Sequence, residues 1–436
     1  MTLELKELII QTLKREVVPA VGCTEPVAVA LVCAKARELI GGGEAEHLEV
    51  SVSPNIYKNG LAVGVPPTKE VGLYMAAALG FVGGRSENGL QLLEGIGEAE
   101  IEQAKSLIHK ELVSLTIKDT HEKVYIEVNL ITDKGKSKVI IKEKHNKFVY
   151  LERLGEVILS ENESSSAEIS NNHNQLYNLK ISTIIEAIEK IPHNEIAFML
   201  DGLFMNEKIA QYGLSHRMGM GVGYSISESI RKGILSDDLM NHAKMLTASA
   251  SDARMSGINM PVMSSNGSGN NGLTAILPIV AYGRKFPVSD ETLAKAIAMS
   301  HIVNSYIKFY IGRLSALCGC GVAAGTGAGV GITWMMGGET EQIDGVIKNI
   351  LGDISGMVCD GAKVGCSLKL STSVSSAIQA ALLAMDNNII PAGNGIIAVT
   401  VEDTIKNLRT LSEEGMHRAD AVILKVMQRM YINESA

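Results

Sequence analysis

Four of the six cysteines lie close together in the chain: Cys318 and Cys320 as Cys-x-Cys, then 38 intervening residues, then Cys359, then six intervening residues and Cys366. Thiolates at such spacing can converge on a soft metal or an iron–sulfur cluster. Three metal-bound arrangements are open: a structural zinc held by four thiolates, an electron-transfer cluster held by four, or a [4Fe–4S] cluster held by three with one iron free for substrate. Against them stands the plainer arrangement of separate core cysteines, since free Cys is often buried. The paired Cys-x-x-Cys knuckles usual in zinc fingers are absent, which lowers the zinc reading. Spacing alone does not decide among the rest.

A second group is the run Met263-Ser264-Ser265-Asn266-Gly267-Ser268-Gly269-Asn270-Asn271-Gly272, polar and glycine-rich between apolar flanks. Its backbone N–H groups and its Ser and Asn side chains suit a carboxylate or phosphate held just before the next helix. It lacks the Lys-Ser/Thr of a P-loop, so a nucleoside triphosphate is disfavoured. The third group, Gly22-Cys23-Thr24-Glu25-Pro26, sets a thiol on the turn ahead of a helix, where the helix N-terminus lowers a thiol pKa and makes Cys23 a candidate base or nucleophile. The competing reading is a buried Cys beside an N-capping Thr24. Lys58, within Ser53-Pro54-Asn55-Ile56-Tyr57-Lys58-Asn59-Gly60, offers a cation at a strand end for a substrate carboxylate, and a plain turn explains that segment almost as well. Cys33 reads as core. His216 and His301 lie near the polar motifs and read as surface or satisfied core residues. The sequence contains no His-Glu-x-x-His and no Gly-x-Ser-x-Gly motif.

These residues need elements to position them. Leu5, Ile9, Ile10, Leu13 and Val17 recur at helical spacing, and an Ala/Val-rich run after Pro26 makes a second helix joined through the Val18-to-Cys23 turn. After Gly41-Gly42-Gly43 the period changes to two at Leu48, Val50 and Val52, and strands recur around residues 113–117, 124–130 and 139–141, the last two as a hairpin. A helix is expected between them near Lys69 to Leu79. Residues 160–175 are too polar to bury and read as a linker or loop. Thr183 and Glu186 are spaced as a capping box for the helices that follow. The expected fold class is α+β: a mostly helical catalytic domain of residues 1–42 plus 176–436, with a smaller α+β domain of residues 43–159 inserted. Gly321, Gly325 and Gly329 form a ridge for close helix packing.

The chain has 436 residues, with 40 Lys plus Arg against 48 Asp plus Glu, a net charge of −8 that argues against a nucleic acid partner. Hydrophobic residues at 46% and charged residues at 20% place it in the globular range. The N-terminal residues lack a secretory pattern, and the expected location is the cytoplasm, where clustered cysteines are better read as metal-binding or catalytic than as disulfides. The uncharged stretch between Arg313 and Glu339 is glycine-rich and reads as a buried helix, with no membrane span.

The segments Val18 to Pro26, Pro261 to Gly272, Ser315-Ala316-Leu317-Cys318-Gly319-Cys320-Gly321 and Asp360-Gly361-Ala362-Lys363 together resemble the L-cysteine desulfidase family, which is related to the iron–sulfur L-serine dehydratase alpha chain. The resemblance runs over nearly the whole chain. It implies a lyase with one [4Fe–4S] cluster per chain that converts L-cysteine to pyruvate, ammonia and sulfide. By the same resemblance the cluster ligands are Cys359, Cys366 and one of Cys318 or Cys320; Cys318 is favoured because Cys318 and Val322 match a Cys-x-x-x-Val of the dehydratases. Cys23 matches the proton-accepting position of the desulfidases, whereas the dehydratases carry a Ser-rich motif with a His there. Ser265, Asn266, Gly267, Ser268 and Asn271, with Lys58, would bind the substrate. A homo-oligomer is expected. The alternatives are L-serine dehydration on the same cluster and a non-catalytic, zinc-stabilised small-molecule-binding protein. Pyridoxal phosphate chemistry would need a lysine such as Lys363 or Lys369, but no phosphate cup surrounds them.

Overall fold

A computed structural model describes residues 2–68, 70–161 and 175–434. In chain order the helices are α1 (Leu3–Glu16), α2 (Thr24–Leu39), α3 (Pro54–Gly60), α4 (Leu73–Gly83), α5 (Glu98–His109), α6 (Ile181–Glu189), α7 (His193–Ile196), α8 (Met199–His216), α9 (Val222–Arg231), α10 (Leu239–Met255), α11 (Gly269–Lys285), α12 (Asp290–Ile311), α13 (Gly319–Met335), α14 (Thr340–Ile354), α15 (Cys366–Met385), α16 (Val401–Thr410) and α17 (Ala419–Glu434). The strands are β1 (Pro19–Val21), β2 (Ala45–Val52), β3 (Val113–Ile117), β4 (Tyr125–Thr132), β5 (Gly135–Lys142), β6 (Phe148–Arg153), β7 (Glu156–Ser160) and β8 (Pro261–Met263). The fold is α+β, as the sequence pattern implied.

Six strands form one sheet in the order β3-β2-β4-β5-β6-β7. The β2–β3 pair is parallel and its neighbours are antiparallel, with Val50 opposite Leu115 on one side and Val128 on the other. The alternation read from the sequence works as expected, because Leu48, Val50, Val52, Ile126, Val128, Leu130, Val139 and Ile141 are all buried under α2 and α4. The β4–β5 hairpin turns at Asp133 and Lys134. Two strands beyond it, β6 and β7, were not anticipated; their residues are mostly half-exposed and carry little period-2 signal. The polar segment expected as a linker falls largely on residues 162–174, outside the described residues.

Three local expectations differ. Helix α2, grouped by sequence with the helical unit, packs its apolar face into the core of the sheet. It approaches α4 so closely that a Cβ at Gly80 would lie 2.2 Å from the Ala30 carbonyl oxygen. A helix that is apolar nearly all round carries no instruction about which neighbour it chooses. The helix expected near Lys69 begins only at Leu73, after Gly72 at positive φ. Thr183 lies inside α6 rather than at its cap; the free Ile181 N–H donates instead to the Glu402 carboxylate at 2.9 Å, a long-range substitute for a local cap.

The helical unit is built around α13, which is uncharged and buried over most of its length between α12, α11, α14 and α15. Its glycines explain that position. A Cβ at Gly325 would lie 2.1 Å from Ser373 Oγ on α15, and one at Gly327 would lie 2.2 Å from the Ser300 carbonyl on α12. The ridge of Gly321, Gly325 and Gly329 therefore serves packing on one face, and Gly327, outside it, does the same on another. Among the described residues one helix, α15, is long and apolar enough to cross a bilayer by length and composition, and 56% of that stretch is buried within the protein. The two units are tied by β1 and β8, paired antiparallel with Ala20 opposite Val262.

Candidate functional site

Local backbone geometry brings the motifs to one place. Gly22 adopts φ +71° and passes so near Pro66 that a Cβ would lie 2.9 Å from its ring, so glycine is required where β1 turns into α2. Cys23 is the N-cap of α2, and Thr24 donates its hydroxyl to the Gly267 carbonyl at 2.7 Å instead of capping the helix. The same pairing continues on the other strand: Ser264 N–H donates to the Val18 carbonyl and Asn266 N–H to the Glu16 carbonyl, both at 2.9 Å. The Ser/Asn loop is thereby laid beside Cys23. Asn266 and Gly267 take positive φ, and Ser268 caps α11 by accepting from Asn271 N–H.

Three of the four clustered thiols are positioned by the joints around α13 and α15. Leu317 and Val358 form an isolated antiparallel bridge, with Cys318 N–H donating to the Met357 carbonyl at 2.8 Å and Cys359 N–H to the Ala316 carbonyl at 2.7 Å. Cys318 therefore sits at the start of α13 opposite Met357, and Cys359 opposite Ala316, so the bridge holds both thiol-bearing segments together. Cys366 opens α15, where the positive end of the helix favours a thiolate. Between them Gly361 at φ +94° passes within 2.3 Å, as a Cβ would measure it, of the Lys58 carbonyl oxygen. Asp360 pairs with both Lys363 and Lys369. Burial would raise its pKa, but those two lysines hold it down at about 2.

Cys23, Cys318, Cys320, Cys359 and Cys366 all line a single cavity of about 90 Å³. Asn266, Gly267, Ser268 and Asn271 line it too, as does Lys58. Ser268 Oγ lies 3.6 Å from Cys320 Sγ, so the loop and the thiol cluster meet directly. Ser265 is placed otherwise. It is fully buried, and its hydroxyl is bonded to His301 Nδ1 and Asn304 Nδ2, each at 2.9 Å, beneath the loop. His301 is thus a buried support of the loop, and burial drives its pKa down to about 3. Cys33 is core, away from the cavity, as read from the sequence. Lys58 borders the cavity, but its ammonium is committed to the Asp420 carboxylate at 2.5 Å and the Cys359 carbonyl at 3.0 Å.

Three cavity residues had been missed. Arg254, on α10, is 3% exposed and contacts the Cys23 thiol. Lys308, on α12, is buried with its ammonium donating to the Arg313 carbonyl, and burial lowers its pKa to about 8 against the pull of Cys320 and Cys359. His145 comes from the β5–β6 connection, so the sheet contributes a side chain to the cavity. It is 8% exposed, its Nε2 has no partner, and burial lowers its pKa below the ordinary range. A basic residue inside an apolar helical run was the available signal for Arg254 and Lys308. A turn histidine carries none.

Cys23, Cys318, Cys359 and Cys366 are held in their neutral form by their surroundings, which for Cys23 reverses the lowering expected from the helix N-terminus. Burial pushes Cys23 up to about 12, with Arg254 opposing and Glu25 and Cys366 adding to the rise. Burial likewise raises Cys359 and carries Cys366 to about 11, while Cys318 is raised first by its hydrogen bond with Cys320 and then by burial. Among the described residues no three His, Cys, Asp or Glu side chains are gathered as they would be around a single ion. The donor set still fits a polynuclear, thiolate-bound group: the thiols share one cavity, and the buried Lys308 and half-buried Lys369 act on Cys359 in the sense that offsets thiolate charge.

Comparison with known proteins follows the same lines. The serine dehydratase alpha chain family matches residues 87–425. A UPF0597 protein of Alkaliphilus metalliredigens is 63% identical, covering 98% of this chain and 95% of the relative. A UPF0597 protein of Clostridioides difficile is 54% identical over 96% and 99%, and one of Aeromonas hydrophila 41% over 96% and 95%. The family match takes in the strands after β2, the Ser/Asn loop and the four clustered cysteines but not Cys23 or Lys58, and the chain belongs to the serine dehydratase alpha chain family.

Proposed function

We propose that this protein carries out iron–sulfur-dependent α,β-elimination on a small amino acid, converting L-cysteine to pyruvate, ammonia and sulfide. The family as a whole points to an iron–sulfur, dehydratase-type lyase. The observation that carries the finer reading is that Cys23, a thiol at a helix N-terminus, shares one cavity with the four clustered thiols and the Ser/Asn loop.

Cys318, Cys359 and Cys366 are the residues that would hold a [4Fe–4S] cluster, with Cys320 the neighbouring thiol on the loop side. When bound, such a cluster supplies a Lewis-acidic iron for the departing sulfur. The chain's own residues do the rest. Cys23, which burial holds neutral, must first be deprotonated, and as thiolate it then takes the α-proton onto Sγ; the C–H electron pair becomes the Cα–Cβ double bond as the Cβ–S bond breaks. Arg254 beside it opposes the cost of that negative charge. Asn266, Gly267, Ser268 and Asn271 orient the substrate's polar groups, so that proton and leaving group are fixed relative to each other. Lys58, which the sequence suggested for the carboxylate, instead donates to the Cys359 carbonyl and is paired with Asp420. Aminoacrylate then tautomerises and hydrolyses to pyruvate and ammonia.

The test is pyruvate formation from L-cysteine and L-serine side by side, with anaerobically purified, cluster-reconstituted protein and an iron-free control. Iron-dependent turnover that favours L-cysteine is expected. Preference for L-serine would transfer the same machinery to dehydration, a reading the family match favours. Failure with both amino acids while iron is bound would sink the elimination reading, and four zinc-bound thiols by metal analysis would favour a non-catalytic binding protein.

A further inference from the structure

The cations around the cavity are unequal. Arg313 is paired with Glu16, Lys58 with Asp420 and Lys369 with Asp360. Lys308 has no carboxylate partner either, but its ammonium donates to the Arg313 carbonyl and acts on Cys320 and Cys359, whereas Arg254 lies beside Cys23. Its Nη1 donates to Asn270 Oδ1 at 3.1 Å, its Nη2 to the Gly22 carbonyl at 2.7 Å, and it contacts the Cys23 thiol, none of which is a carboxylate. Nε is buried with no partner. A guanidinium has five donors, and an uncompensated buried charge is costly unless a ligand completes it. The surroundings also hold the group in place. A Cβ at residue 269 would lie 2.3 Å from Arg254 Nε, so Gly269 leaves the room in which the guanidinium lies along the loop.

We infer that Arg254 is the anchor for the substrate's α-carboxylate. The inference rests on the elimination reading of the cavity and names the feature a ligand must have: a carboxylate whose neighbouring carbon then lies beside Cys23. The planar, multiply donating guanidinium is the side chain suited to grip a carboxylate with two parallel hydrogen bonds. Its fixed bonds to Gly22 and Asn270 place it between the turn that carries Cys23 and the loop that begins α11.

The test compares two thiol ligands that each lack one end of cysteine: 3-mercaptopropionate, which keeps the carboxylate, and cysteamine, which keeps the amine. Binding of each to the anaerobically reconstituted full-length protein is measured by calorimetry, for wild type, Arg254→Gln and Arg254→Lys. Wild type is expected to prefer 3-mercaptopropionate by roughly 100-fold, Arg254→Gln to lose that preference while binding cysteamine as before, and Arg254→Lys to restore part of it. Equal affinity of wild type for the two ligands, or an undiminished preference in Arg254→Gln, overturns the assignment. If Arg254→Gln does not fold, the wild-type comparison and Arg254→Lys still decide. The pyruvate assay separates the two readings: an Arg254-dependent carboxylate preference without turnover removes the elimination reading alone, whereas turnover of L-cysteine with unchanged KM in Arg254→Gln removes the anchor alone.

Discussion

Lys58 Nζ lies 2.5 Å from Asp420 Oδ1 and 3.0 Å from the Cys359 carbonyl oxygen, so one buried ammonium joins the sheet-side helix α3, the C-terminal helix α17 and the thiol cluster. Lys58 is 1% exposed. Asp420→Ala would leave that charge buried with only a carbonyl partner, a change that costs about 3 kcal/mol. Thermal unfolding should show a clear fall in Tm, and unchanged unfolding would mean that α17 contributes little to holding the site.

The thiols are expected to divide in their effect on iron. Cys318→Ala, Cys359→Ala and Cys366→Ala should each lose most iron and acid-labile sulfide after anaerobic reconstitution, while Cys320→Ala, whose thiol faces Ser268, should retain both. Quantifying iron and sulfide per chain checks this. Full retention in Cys359→Ala would overturn the cluster assignment.

His145 is expected to matter for turnover although it belongs to the sheet. Its imidazole is neutral at pH 7 because burial opposes the charged form, and its Nε2 is unpartnered at the cavity. His145→Ala should lower kcat/KM for the preferred amino acid by about 100-fold, the scale of a lost proton-transfer group, with little change in Tm. A loss below threefold would reduce it to a wall residue.

Acid stability should respond to Glu127, a cavity-independent feature of the sheet. Burial would raise its pKa, but hydrogen bonds from Lys138, Tyr125 and Lys118 outweigh that and hold it at about 2, below the ordinary 4.5. Because the folded value is the lower one, the carboxylate stabilises the fold above pH 4.5 and loses that contribution as pH falls toward 2. Glu127→Gln should therefore cost about 2 kcal/mol at pH 7 and almost nothing near pH 2, allowing for the partly exposed lysines. Urea titrations at the two pH values measure the difference.

Gly327→Ala should destabilise by about 3 kcal/mol, since the new methyl would meet the backbone carbonyl of Ser300 and no side chain can swing aside. Gly325→Ala should cost less, because the nearest atom is the Ser373 hydroxyl. Denaturant midpoints rank the pair.

Much of the sheet was legible because half-buried strands alternate, as at Leu48, Val50 and Val52, and the hairpin at Asp133 and Lys134 announces itself by turn chemistry. The polar loop and the cysteine spacing marked residues that do share a cavity. The partners of α2 were not legible, since a helix buried all round has no preferred face. Nor were the ties of single side chains: Ser265 turned toward His301, Lys58 captured by Asp420, and His145 delivered from a turn more than a hundred residues away from both Cys23 and the loop. Such pairings depend on three-dimensional placement alone.

The union of β1 with β8 also sets a timetable for biosynthesis. Pro19 to Val21 cannot take their place until Pro261 to Met263 have been made, a wait of about 10 to 50 seconds at ribosomal speed. Cys318 and Cys366 emerge later still. Throughout synthesis the cavity is unassembled, so a ligand that needs all of its walls can be received only by a finished or nearly finished chain.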